Sequence, residues 1–374
     1  MKITDVRLTP VYSRRETGSL TPHVIVQLPT DEGLVGLGEM SDLGHGHVKF
    51  DLQDARNSIA HILVGQDPMA YGPLTRAARQ RFPHSGPFLE GIELAILDLV
   101  GKAKGQSVAE LMGGTYRDRI RVCYPIFRMF DLAEVEPNVA RVERRINEGQ
   151  TLFRLYCGGN VEADEAFLSA VRSRWGDRFE LKSLDLSGRL PWKRTMDVLH
   201  RLLCFQPMLV ESVCDRRDPD GQYEVRKRID LPISEHIHSP EMAFEFAKHR
   251  YVDIFNVSLA GCGGWMSARR VADIALAAGI SCLVGTTQEL SIGVAAQAMF
   301  GATLENLDYP SDMTGGLLYE DDVVVERVRY VDSHLLVPQG PGLGMTLDET
   351  KLAAIERPLS SIPLPTQPVA AGSR

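Results

Sequence analysis

Residues 179–188 read FELKSLDLSG, an apolar run of strand type that ends in one carboxylate, Asp185. Two later runs have the same form, because QPMLVES reaches Glu211 and DLPISEH reaches Glu235 near their ends. The three acids recur about every 25 residues, close to the roughly 30 residues of one strand and helix in an eightfold barrel. Parallel strands bring their carboxyl ends to one edge, so this spacing predicts that the three carboxylates converge. We interpret the point of convergence as a site for a divalent metal ion.

Length and charge limit the kind of protein this chain can be. Its 374 residues, 44% of them hydrophobic, can bury a large core and exceed one average domain, so we expect one large and one smaller domain. The net charge of −8 argues against nucleic acid or an anionic membrane as partner, because both are bound by clustered Lys and Arg. The N-terminus has no apolar signal core and no stretch has the roughly 18 apolar residues of a membrane span. We therefore expect a cytoplasmic protein.

Six cysteines are scattered through the chain without a CxxC pair. Most of them lie in apolar runs of strand type, which favours reduced thiols in a core over zinc ligands or disulfides. They are Cys123, Cys157, Cys204, Cys214, Cys262 and Cys282.

Residues 1–120 are predicted to form an α+β region. Residues 2–31 alternate apolar and polar positions in two pieces, and a DEG turn follows before LVGLGEM, as in an antiparallel meander. Helical periodicity comes next, most clearly at 86–105, where the apolar residues fall on one face. Strands first and helices after are typical of a separate α+β unit.

Two polar loops of this region are candidates for substrate recognition. They lie near residues 13–22 and 41–48, and the second carries His45 and His47. Both histidines are candidate substrate-binding residues, although a loop histidine can equally be solvated without any function.

From about residue 120 the pattern changes to strand, helix, strand. Eight strand candidates with helical patterns between them predict a parallel sheet that closes into a (β/α)₈ barrel, with an open doubly wound sheet as the structural alternative. The chain has no GxGxxG or GxxxxGK[ST] motif, so a nucleotide site has little support. The strand candidates are 121–127, 151–157, 179–186, 207–212, 231–236, 252–258, 280–286 and a weak one at 305–309.

Short strand patterns return at residues 317–360. Because similar pairing signals occur otherwise only near the N-terminus, we expect this segment to return to the first domain. The barrel, residues 121–316, is then an insertion in chain order. The remaining residues, 361–374, are small and Pro-rich and are predicted to form a loose tail.

Taken together, several motifs identify a family. Nearly the whole chain, apart from the tail, resembles the enolase superfamily, in its branch of muconate-lactonizing and mandelate-racemase-like proteins. The motifs that carry the resemblance are KITDVRLTPV, EGLVGLGEM, ELAILDLVGKAKGQSVAELMGG, CGGNVEADEAF, NVSLAGCGG and GTTQELSIG.

The resemblance implies an α/β fold with a modified (β/α)₇β TIM-type barrel and an α+β capping domain formed by the N-terminal region and a C-terminal segment. It implies that Asp185, Glu211 and Glu235 are the metal ligands, in agreement with their spacing. All-oxygen ligation is typical of Mg²⁺, which would hold the carboxylate of a small-molecule substrate while its α-proton is abstracted through an enediolate. It also implies a homo-oligomer.

The sequence departs from the family at the catalytic base. Arg154-Leu155-Tyr156 stands where relatives carry Lys-x-Lys, and Ser258 stands where the lactonizing branch has a lysine. We expect Ser258 to contact the substrate. After the seventh strand, Thr286 and its neighbours include no histidine of the racemase type.

Several residues are candidates to replace the missing lysines. Tyr156 can act as the base if Arg154 lowers its pKa, and it can equally serve as a hydrogen-bonding or packing residue. His236 directly follows a predicted ligand and His238 shares its face of the strand; we expect His236 in catalysis and His238 in substrate binding, although either can instead point outward. Glu289, which matches the family's acid after the seventh strand, is a candidate for a proton relay or for a substrate contact.

The sequence offers only one plausible base, which favours a reaction that needs only one base. We therefore expect a lyase that dehydrates a sugar acid or related hydroxy acid. Racemisation or epimerisation, which usually needs bases on both faces of the carbon, and cycloisomerisation are the alternatives within the superfamily. A protein that has lost the chemistry and serves as a binding protein is the alternative of another class, because it too predicts that both lysines are missing.

Overall fold

The computed structural model of the chain describes residues 1–41, 43 and 51–362. It begins with a three-stranded antiparallel sheet, β1 (Arg7–Arg14), β2 (Leu20–Pro29) and β3 (Val35–Met40). Gly33 has a φ of 82° in the turn between β2 and β3, a backbone conformation that glycine adopts without steric cost.

Four helices follow the sheet, and the longest packs against it. A Cβ atom on Gly38 of β3 would lie 2.0 Å from the carbonyl oxygen of Gly91, so only glycine permits this approach of helix and strand. The helices are α1 (Leu52–Leu63), α2 (Tyr71–Arg81), α3 (Gly86–Lys104) and α4 (Val108–Leu111).

Seven parallel strands form the second sheet, in the spatial order β11-β10-β9-β8-β7-β6-β5. Their apolar residues are buried on both faces, as expected when helices cover a parallel sheet. The strands are β5 (Tyr124–Ile126), β6 (Leu152–Tyr156), β7 (Glu180–Asp185), β8 (Leu209–Glu211), β9 (Ile233–His236), β10 (Ile254–Val257) and β11 (Ser281–Val284).

The eighth position of the barrel is occupied by a segment without a regular strand. A parallel bridge pairs Cys282 with Leu307, and another pairs Val122 with Ser311. The segment thus joins the two edges of the seven-stranded sheet, and a (β/α)₇β barrel results. Of the weak strand expected at 305–309, Leu307 forms one of these isolated bridges, and the second bridge lies beyond the predicted range, at Ser311.

Helices connect the barrel strands on the outside. They are α5 (Val135–Asn147), α6 (Val161–Trp175), α7 (Trp192–Leu202), α8 (Pro219–Arg226), α9 (Pro240–His249), α10 (Leu259–Cys262), α11 (Trp265–Ala277) and α12 (Ser291–Ala302). Within the described residues, no helix has the length and apolar character that crossing a bilayer requires.

The last part of the chain lies against the first sheet. Arg15 of the loop after β1 bridges to Tyr319, and the N–H of Arg357 donates to the carbonyl of Pro10. The elements here are α13 (Gly315–Leu318), β12 (Tyr330–Val331), β13 (His334–Leu336) and α14 (Glu349–Ile355), and β13 also pairs with β4 (Arg119–Arg121) ahead of the barrel. The domain limits themselves stay a prediction, and residues 363–374 of the expected tail lie outside the described residues.

Alternation along the strands sets the layers inside the barrel. Leu209, Ile254 and Leu283 form a small buried apolar cluster from β8, β10 and β11. Two residues further along, β8 and β10 carry Glu211 and Asn256, both fully buried. Side chains two apart share a face, so the apolar layer lies below a polar layer at the carboxyl ends of the strands.

Candidate active site

A cavity of about 620 Å³ opens at the carboxyl ends of the barrel strands. Its lining includes side chains from β6, β7 and β9 and from the loops after β8 and β11. In a barrel of this type the chemistry occurs at this end, because the loops that follow the strands surround it. Among the residues that line it are Arg154, Tyr156, Asp185, Glu235, His236 and Thr286.

Arg154 is the centre of the polar layer. Its Nη1 lies 3.1 Å from Asp312, 3.4 Å from Glu211 and 3.8 Å from Asp185, and its Nη2 donates to the Tyr156 hydroxyl over 2.6 Å. Only 3% of the side chain is exposed. A guanidinium cannot lose its proton at physiological pH, so Arg154 is a fixed positive charge beside three carboxylates.

A second buried cation, Lys182, lies next to this arginine. Its Nζ is 2.6 Å from Asp312 and 3.6 Å from Glu211, and the lysine and both carboxylates are fully buried. The register of β6 and β7 shifts at Lys182. Its neighbours Leu181 and Ser183 pair with successive residues of β6, so Lys182 has no pairing partner on that strand. Asn256 completes the network by donating to Glu211 over 3.1 Å and to Asp312 over 3.3 Å.

Lys182, Asn256 and Asp312 were not among the residues predicted from the sequence. The sequence did contain a signal for Lys182, because a lysine in the middle of the apolar run FELKSLDL is costly to bury and therefore indicates a buried acidic partner. For Asp312 there was none, because its partners lie far away in the chain.

Tyr156 lies between Phe127 and Arg154. Its ring stacks on Phe127 at 5.8 Å between centroids, and its hydroxyl accepts from Arg154. Burial raises the pKa of Tyr156, and the nearby Arg154 opposes this only in part. The hypothesis that Arg154 lowers this pKa enough to make a base is therefore corrected, because the loss of hydration outweighs one cation whose charge is shared with three carboxylates.

The pKa values of the two acids at the ends of β7 and β8 are shifted in opposite directions. Burial, followed by the charge of Glu211, raises the pKa of Asp185 to about 6. Burial alone would also raise the pKa of Glu211, but Lys182, a hydrogen bond with His236 and Arg154 outweigh it and lower this pKa. Glu211 is thus the firmly ionised member of the pair.

His236 and Glu235 point to opposite sides of β9. The Nε2 of His236 lies 3.2 Å from Glu211 inside the barrel, and 27% of its side chain is exposed to the cavity. Glu235 instead accepts hydrogen bonds from Ser212 over 3.0 Å and from Gln222 of the outer helix α8 over 2.9 Å. Burial raises the pKa of Glu235 to about 7.

The expected convergence of three carboxylates is therefore not seen. Adjacent strand residues face opposite sides, so His236 takes the position beside Glu211, while Glu235 lies at the edge of the cavity and bonds to Ser212 and Gln222. Among the described residues, no three His, Cys, Asp or Glu side chains are close enough to bind a metal ion.

Nor do the donor atoms suit Mg²⁺. Glu211 keeps one oxygen without a hydrogen-bond donor, but Lys182 faces that oxygen, and an imidazole replaces the third carboxylate. Mg²⁺ prefers oxygen ligands, and two cations already lie against the carboxylates. The residues present do not fit the predicted Mg²⁺ site.

The remaining predicted residues contact the cavity less directly. Glu289 is buried and accepts from Thr286 over 2.6 Å, so it positions a residue that lines the cavity. Ser258 caps α10 by accepting from the N–H of Gly261, and His238 lies 3.0 Å from Arg216 and lines a neighbouring cavity. His45 and His47 lie outside the described residues.

Family models cover most of the chain. The model "Mandelate racemase / muconate lactonizing enzyme, N-terminal domain" matches residues 1–113, and "Enolase C-terminal domain-like" matches residues 138–351.

Curated relatives match over almost their whole length. A muconate cycloisomerase 1 of Pseudomonas putida is 30% identical over 351 residues, which is 89% of this chain and 90% of the relative. A chloromuconate cycloisomerase of Cupriavidus pinatubonensis is 29% identical over 347 residues, 89% and 91% of the two chains. An N-succinyl-L-Arg/Lys racemase of Bacillus cereus is 27% identical over 342 residues, 88% and 89%.

Solved structures of similar proteins have the same architecture. A muconate lactonizing enzyme from Pseudomonas putida superimposes with a TM-score of 0.86 at 27% identity, covering 96% of this chain and 100% of the other. The expected fold, a TIM-type barrel with an N-terminal capping domain, is confirmed.

Proposed function

This chain belongs to the mandelate racemase and muconate lactonizing enzyme family of the enolase superfamily, and on that premise we propose that it is an isomerase of the cycloisomerase type. Its relatives are enzymes, cycloisomerases and a racemase, that share its length. We propose that it acts on an unsaturated small-molecule carboxylate and protonates the carbon next to the carboxylate. A homo-oligomeric state and a cytoplasmic location stay predictions.

One contact carries the proposal. Arg154 can only donate hydrogen bonds, so the Tyr156 oxygen accepts in their 2.6 Å contact and the phenolic hydrogen points elsewhere. Because Tyr156 lines the cavity, that hydrogen is available to a bound substrate. Burial raises the pKa of Tyr156, so at neutral pH the group is an acid and not a base.

The reaction then needs one acid and one fixed cation. A nucleophilic oxygen of the substrate adds to a carbon–carbon double bond conjugated with a carboxylate, and the electron pair moves onto that carboxylate as an enediolate. The Arg154 charge stabilises this dianion. Tyr156 then gives its proton to the α-carbon, Arg154 stabilises the phenolate, and water reprotonates it. The product is an isomer of the substrate.

Dehydration of a sugar acid, the expectation from sequence, becomes the second candidate. It is favoured by His236, whose imidazole is open to the cavity and could protonate a leaving hydroxide. Burial lowers the pKa of His236, but its contact with Glu211 outweighs this and raises it, which favours the protonated form of the imidazole. Dehydration would need a base in addition to this acid.

Racemisation has less support. It requires acid–base groups on both sides of the α-carbon. On the side of β10 and β11, Ser258 is a helix cap and only Thr286 lines the cavity among the described residues.

The proposal is tested by NMR in deuterated water with a panel of muconates, other unsaturated dicarboxylates and sugar acids. We expect a lactone with one deuterium at its α-carbon, and Tyr156→Phe should abolish its formation. The control is Tyr223→Phe, an exposed tyrosine on α8. Formation of a keto acid would favour dehydration. Absence of turnover and exchange across the panel would favour a binding protein.

A further inference from the structure

The barrel mouth differs from the Mg²⁺ site that the resemblance implies, and this difference is informative. We propose that the buried cations Arg154 and Lys182 take the place of the divalent metal, so that this site functions without one.

The negative charges of the polar layer are already paired with positively charged side chains of the protein. Asp185, Glu211 and Asp312 are the carboxylates, and each lies within 3.8 Å of the Arg154 Nη1. Lys182 pairs with Asp312 and Glu211. Buried carboxylates are stable only when paired, and here two permanent cations supply what a metal ion would supply.

Glu235, the third predicted metal ligand, already accepts hydrogen bonds with both carboxylate oxygens. One oxygen of Glu235 accepts from Ser212 and from the N–H of His236, and the other accepts from Gln222. Glu235 lines the cavity, but to bind a metal there it would have to break these bonds, and His236 already occupies the position 3.2 Å from Glu211.

Arg154 is built to act as the electrophile. Its guanidinium is held from both sides, by Asp312 below and by the Tyr156 oxygen at the cavity, and Lys182 in turn fixes Asp312. Preorganised donors of this kind stabilise a developing oxyanion without reorganisation. The catalytic role of Arg154 rests on the proposed function, whereas the expected absence of metal binding does not.

Metal binding is measured first, on the full chain after treatment with EDTA, by calorimetry and by electron paramagnetic resonance with Mn²⁺ alone, which prefers the same oxygen ligands as Mg²⁺. We expect no saturable Mn²⁺ binding up to about 1 mM. One Mn²⁺ bound per chain, displaced by Mg²⁺ and lost in Asp185→Asn, would overturn the inference.

Arg154→Met tests the cause. It removes the competing charge at similar length, so we expect Mn²⁺ affinity to rise at least about tenfold over wild type. Arg216→Met is the matched control, because Arg216 lines the same cavity but forms no ion pair with Asp185, Glu211 or Asp312. The Mn²⁺ affinity of this variant should stay at the wild-type level. If Arg154→Met folds, as judged by circular dichroism, and still binds no Mn²⁺, Arg154 is not what replaces the metal.

The second arm uses turnover. With a substrate found by NMR, activity should be unchanged in 10-fold excess EDTA over protein, and loss of activity that Mg²⁺ restores would overturn the inference. If no substrate is found, the proposed function fails but the Mn²⁺ experiments still decide whether the chain binds a metal.

Discussion

The Nη2 of Arg154 lies 2.6 Å from the hydroxyl oxygen of Tyr156, two residues further along the same strand. At the other end of the guanidinium, Nη1 faces three carboxylates. The arginine therefore links the Tyr156 hydroxyl, the proposed proton donor, to the buried charges beneath it.

Removing the Tyr156 hydroxyl should remove proton transfer and leave the fold intact. We expect Tyr156→Phe to lower kcat by about 10²–10⁴-fold with a small change in KM, because general acid catalysis contributes on this scale. Steady-state kinetics and the thermal unfolding curve together check this. Full activity in a folded variant would eliminate Tyr156 as the acid.

Breaking the buried ion pair should be costly. Lys182→Met leaves Asp312 with one cation fewer in a fully buried position, and we expect a loss of about 3–5 kcal/mol in the free energy of unfolding, measured with urea. Lys351→Met, on an exposed pair with Asp348, should cost about 0–1 kcal/mol. The double variant Lys182→Met, Asp312→Leu should be less destabilised than Lys182→Met alone, because the carboxylate that lost its lysine is removed as well, while Arg154 keeps Glu211 and Asp185 as partners. A cost in Lys182→Met equal to that of the exposed pair would contradict a structural role for the network.

Gly38→Ala should separate the long helix from the first sheet. The added Cβ would lie 2.0 Å from the Gly91 carbonyl, so we expect a loss of about 1–3 kcal/mol in the free energy of unfolding. Gly72→Ala is the control, since nothing lies within 4 Å of its Cβ position in helix α2. It should stabilise the protein by about 0.5–1 kcal/mol. Equal stability of the two variants would mean that the contact with α3 relaxes freely.

Asp164 should make stability depend on pH. Burial raises the pKa of this carboxyl from 3.8 to about 7, and one N–H bond from Gly158 compensates only in part. A carboxyl with a raised pKa costs nothing while it is protonated, so its contribution is fully present below about pH 4 and is lost as the pH rises through 7.

The matching variant is Asp164→Asn. We expect its stability relative to wild type to rise between about pH 4 and pH 8, by an amount on the order of a few kcal/mol. Urea unfolding at several pH values measures this difference. Glu165→Gln, on the exposed pair with Arg201, should show a much smaller trend. A difference that does not change with pH would mean that Asp164 is ionised at little cost in the native state.

Much of the fold was evident from local patterns. Apolar runs at regular intervals predicted the barrel strands, and the positions of Asp185 and Glu211 at the ends of β7 and β8 were as expected. The eighth strand was the weakest prediction, and the structure pairs this segment with its neighbours through isolated bridges at Leu307 and Ser311 and not through a regular strand. A segment without regular strand structure has little hydrophobic periodicity from which it could be predicted.

The sequence by itself determined the order of strands and helices and the placement of acids at strand ends, because both follow from spacing and hydrophobic period. Only the tertiary structure decided which of two adjacent residues on β9 contacts Glu211. Glu235 and His236 both line the cavity but lie on opposite faces of the strand, and the register with β8 and β10 gives His236 the position beside Glu211. The same holds for Lys182 and Asp312, whose contact joins positions 130 residues apart and exists only once the barrel closes. Local sequence determines which side chains each strand carries, and closure of the barrel determines which of these side chains come into contact.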